Sequence, residues 1–110
     1  MIESGQIYFF PRARVGRSQY PRPGLVLRVS ATDATVCYFS TKFDLKESGA
    51  GVIEKTDPEF SASGLKHSSY LLEQAMAELP AHEFKGAKLL GKATGEFKKR
   101  VEEWYGAPLQ

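Results

Sequence analysis

The chain has 110 residues, 42% of them apolar and 25% charged, with a formal net charge of +2. That length suits a single domain, residues 1–110, able to close around its own core, and the composition is ordinary for a globular protein and argues against global disorder. The lone Cys37 excludes an internal disulfide and a cysteine-based zinc motif, and it fits a reducing, cytoplasmic setting.

The first predicted element is a strand over Gly5–Phe10 (GQIYFF), stopped by Pro11. The start MIESGQIYFF has neither the basic opening nor the apolar run of a signal peptide, and no stretch approaches the ~20 apolar residues of a membrane span. Residues Pro11–Pro23 read as a basic, aromatic-edged loop. Leu25–Val29 is nearly all apolar, as a strand buried on both faces would be. Ser30 to Asp33 supplies turn chemistry, and Ala34–Ser40 (ATVCYFS) completes an antiparallel hairpin. Cys37 reads as a small core residue of that strand.

Further on, Lys42–Gly51 reads as a loop, Val52–Lys55 as a short strand, and Thr56–Ser63 as a second loop. Gly64–Leu72 and Ala75–Leu79 read as the last two strands, the second ended by Pro80. His82 falls in a helical turn. From Gly91 to Tyr105 the period changes: Ala93, Phe97, Val101 and Trp104 recur at three- and four-residue steps, which predicts an amphipathic helix closed by Gly106 and Pro108. Trp104 reads as a core anchor. Five or so short strands and a terminal helix predict a mainly β fold, a small partly open barrel.

Charge is unevenly spread. Residues 1–28 hold Arg12, Arg14, Arg17, Arg22 and Arg28 against Glu3 alone. Arginine forks onto phosphates and stacks on bases better than lysine. Such a segment suits nucleic-acid binding, the alternative being a loop made soluble by its charge. Arg22 is singular because Pro21 and Pro23 stiffen the backbone on both sides of it.

In chain order, these features resemble the MazF/PemK toxins. Gly5-Gln6-Ile7-Tyr8, a basic segment, and Arg22-Pro23 ahead of Leu25-Val26-Leu27 are similar to that family's opening. Val36–Thr41, Gly64–Tyr70, and Lys85–Gly91 followed by a helix are similar to its later segments. The resemblance implies an SH3-like, partly open antiparallel barrel with a C-terminal α-helix, assembled as a homodimer. It also implies an endoribonuclease that cuts single-stranded RNA, needs no metal or cofactor, and is restrained by a cognate antitoxin. In that chemistry the ribose 2′-OH attacks the adjacent phosphorus.

On that resemblance Arg22 holds the phosphorane charge, and Ser40, or its neighbour Thr41, donates to a phosphate oxygen. Arg12, Arg14, Arg17 and Tyr20 hold the RNA. His67 stands at or near the place where some members of that family have arginine, with Ser69 where a candidate aspartate base would be. An imidazole there can serve as acid or base, the alternative being a surface or structural histidine. The missing aspartate leaves open a second class of function: a non-catalytic RNA-binding module, or a toxin that binds a protein target such as gyrase.

Overall fold

The computed structural model describes residues 1–42 and 49–109. In chain order these form β1 (Gln6–Val15), β2 (Ser18–Val29), β3 (Asp33–Ser40), β4 (Val52–Ile53), α1 (Phe60–Ser63), β5 (Ser69–Pro80), a 3-10 turn (Ala81–Phe84), β6 (Lys88–Lys92) and α2 (Gly95–Tyr105). The strands make one antiparallel sheet in the order β4-β5-β3-β2-β1-β6, curled into a half-barrel. The mainly β, partly open barrel with a C-terminal helix is therefore the observed fold.

The middles of the central strands, Leu25–Leu27 of β2 and Val36–Phe39 of β3, are apolar because both of their faces are covered. Leu25, Leu27, Cys37 and Phe39 point into the cluster that α2 closes with Phe97 and Val101. Their neighbours Val26, Val36 and Tyr38 point the other way, onto Phe10 and Phe84. The fully buried Cys37 has the core role expected of it, and Trp104 packs partly buried against the first cluster.

Four expectations need correction. The segment Pro11–Pro23 is no loop: β1 and β2 run on as a two-stranded arm, pairing Ala13 with Tyr20 and Val15 with Ser18. The sequence misleads here because its prolines lie where the ladder breaks. Between the pairs Phe10↔Arg22 and Ala13↔Tyr20, Pro11 and Arg12 face Pro21 across a bulge, where missing N–H groups cost little. Gly16, with φ +59°, turns the tip. Second, Gly64–Leu72 and Ala75–Leu79 are not two strands. β5 is continuous from Ser69 to Pro80, and a register shift against β3 takes up the excess length. Third, Thr56–Ser63 contains the short α1. Fourth, Gly91 and Lys92 belong to β6, which pairs with β1, so α2 begins only at Gly95. The loop expected over Lys42–Gly51 lies mostly outside the described residues.

Two features fix the wall of the barrel beside the site. α1 packs against β6 backbone to backbone: a Cβ on Gly91 would fall 2.1 Å from the Ala62 carbonyl oxygen, and one on Gly64 2.1 Å from that of Leu90. Only glycine fits at both places. The start of α2 is held from a distance. Thr94 makes no side-chain cap, and the buried Glu59 accepts the Phe97 N–H at 3.1 Å instead. A carboxylate there also meets the positive end of the helix.

Candidate functional site

A cleft of about 720 Å³ opens where β2 and β3 part. Gly24 pairs with Tyr38, and two residues further along each strand stand Arg22 and Ser40. The segment leaving α1, residues 64–67, forms the facing wall, and Phe9, Lys88 and Leu90 of β1 and β6 form the end. Leu65 is buried in the first cluster and its N–H donates to Ser63 Oγ at 3.1 Å, which presents Lys66 and His67 outward.

Arg22 is half-buried with much of its donor capacity unused. Its Nη1 reaches the Phe39 carbonyl only at 3.4 Å, a weak bond, and its Cζ lies 5.7 Å from the centre of the Tyr20 ring. Its Nε is shielded from solvent and has no hydrogen-bond partner among the described residues. Leaving such a donor unpaired costs on the order of 1–3 kcal/mol. Lys42, Lys66 and Lys88 line the same cleft, and no aspartate or glutamate does among the described residues. The arrangement suits an oxyanion.

Ser40 is 7% exposed, and its Oγ accepts the Lys42 N–H at 3.2 Å. Its own hydroxyl proton meets no acceptor among the described residues, so Ser40 is free to donate into the cleft. Thr41 lies exposed at the rim. His67 is exposed on the opposite lip, where its carbonyl accepts the Ser69 hydroxyl at 2.7 Å. Aromatic surface comes from Phe9, Tyr20 and Phe39. No group of three histidine, cysteine or acidic residues that could hold a metal ion occurs among the described residues.

The structure thus gathers Arg22, Ser40, Thr41, His67 and Tyr20 around one cleft. Arg12, Arg14 and Arg17 stand apart on the arm, exposed and outside the cleft lining; Arg14 borders a shallow groove beside Met76 of β5 instead. Sequence reasoning missed Phe9, Lys42, Lys66 and Lys88. The lysines come from three separate segments, and Lys88 enters only because β6 pairs it with Phe9. The only available signal was the run Lys85–Lys92, had it been read as a strand.

The fold and the cleft together define an open β-barrel with a cationic, aromatic-walled groove and a central arginine. Comparison of the sequence with models of known families and with characterised proteins gives no match.

Proposed function

We propose that this cleft binds single-stranded RNA and cleaves it without a metal, as the resemblance to the MazF/PemK toxins implies. The observation that carries the reading is the under-bonded Arg22 guanidinium in a cleft whose lining cations face no carboxylate among the described residues. The reaction forms a bond from the ribose 2′-oxygen to phosphorus and breaks the bond from phosphorus to the 5′-oxygen. It leaves a 2′,3′-cyclic phosphate and a 5′-hydroxyl. Arg22 and the free Ser40 hydroxyl stabilise the non-bridging oxygens as charge builds on them. His67 in its neutral form takes the 2′-OH proton while water protonates the leaving 5′-oxygen, or in its charged form protonates that oxygen while water takes the 2′-OH proton. Phe9 and Tyr20 offer faces on which unpaired bases stack.

Incubating the protein with single-stranded RNA in excess EDTA tests this. Products ending in 2′,3′-cyclic phosphate are expected, and Arg22→Ala is expected to slow their release by about 10²–10³-fold. Loss of cutting on chelation, or undiminished cutting by Arg22→Ala, overturns the mechanism. The same resemblance implies a homodimer and an antitoxin partner in the cell.

A second reading, RNA binding without cleavage, is favoured by the setting of His67. Its ring is exposed, and no lining carboxylate orients it among the described residues. Salt-sensitive binding with no cleavage products selects that reading.

A further inference from the structure

Lys42 stands two residues past the end of β3, beyond the order that strand pairing supplies. Its backbone is nevertheless held on both sides. The Lys42 N–H donates to Ser40 Oγ at 3.2 Å, and the Lys42 carbonyl accepts the Tyr70 hydroxyl at 2.6 Å. Both anchors are buried, Tyr70 to 1% exposure, and they face each other as the pair Ser40↔Tyr70 of β3 and β5. Lys42 is therefore fixed to the sheet while its side chain stays exposed. It lines the same cleft as Arg22 and makes no ion pair among the described residues.

A cation whose backbone is already ordered has less freedom to lose when it meets an anion. From this geometry we infer that Lys42 is a second phosphate-binding cation beside Arg22, and that Tyr70 is the positioning residue that keeps it there. The inference rests on the RNA reading above and sharpens its ligand: an oligonucleotide offering at least two phosphodiesters, with a mononucleotide reaching only part of the site. Tyr70 acts through Lys42 and does not touch the ligand.

The test uses a labelled single-stranded decamer with 2′-O-methyl riboses, which lacks the nucleophile and so reports binding alone. Lys42→Gln and Tyr70→Phe are each expected to weaken binding several-fold. Each should also lower the slope of log affinity against log salt by about 0.7, the value for one lost phosphate contact on a single strand. The double variant should match Lys42→Gln, and Lys42→Arg should retain the wild-type slope. Without RNA, Tyr70→Phe should speed amide exchange at Lys42, because it keeps the buried ring and removes only the hydroxyl.

Additive losses in the double variant, or unchanged exchange in Tyr70→Phe, overturn the role of Tyr70. Wild-type binding that Arg22→Ala abolishes and Lys42→Gln leaves intact overturns Lys42 as a phosphate contact and spares the RNA reading. A wild-type protein with no affinity for the decamer overturns both.

Discussion

Arg22 and Tyr38 lie on neighbouring strands, and burial acts on them in opposite ways. For Arg22, partial burial strips away water and leaves Nε without a partner among the described residues. Tyr38 sits in the second cluster, where burial first and the Glu83 carboxylate second raise its hydroxyl above the ordinary value of 10.0. The folded protein thus holds the Tyr38 proton more tightly than the unfolded chain does. That contribution to stability is intact below pH 10 and is lost as pH rises through the raised folded value. Melting curves should accordingly fall in Tm above about pH 10, and Tyr38→Phe should lose less over the same interval. An identical alkaline fall in wild type and variant refutes the assignment. Tyr8 shifts in the same direction, through burial and Glu3.

At the scale of elements, the central hairpin was legible because its apolar runs have one explanation, a strand covered on both sides. The arm was not legible, because Pro11 and Pro21 look like loop punctuation and only the paired register reveals the bulge that accommodates them. β6 was missed for a different reason: Lys88-Leu89-Leu90-Gly91-Lys92 is short, has no β-branched residue, and runs directly into the helical period that begins in sequence at Ala93. The cap of α2 is a long-range contact and leaves no local mark. Glu59 lies 38 residues from Phe97, the N–H it receives. Replacing Glu59 by alanine should cost about 1–2 kcal/mol, a Tm lower by roughly 5–10 °C, with the loss of helix signal coinciding with global unfolding. An unchanged Tm would remove Glu59 from the account of α2.

For the whole molecule, two zones of positive charge bear on the cleft: Arg22 and the lysines that line it, and Arg12, Arg14 and Arg17 on the arm beyond its edge. On the proposed RNA reading, the two zones should respond to RNA length differently. Changing the three arm arginines to glutamine should weaken binding to a long single strand and reduce its salt slope, while a tetranucleotide confined to the cleft binds as before. Equal losses for long and short RNA would merge the two zones into one. Arg22, Ser40 and His67 were legible because they follow short ordered motifs. The lysines were not, since the barrel rather than the sequence makes them neighbours.

The glycine seam between α1 and β6 also bears on the order of events during synthesis. Leu90 and Gly91 lie about thirty residues downstream of the wall they brace, and β6 completes its ladder against the first strand of the chain, pairing Ile7 with Gly91. A nascent chain halted before Lys88 has made Arg22, Ser40 and His67 yet has neither the end of the cleft nor the brace behind Lys66 and His67. The groove beside Arg22 therefore takes its final shape only once β6 is available to pair with β1.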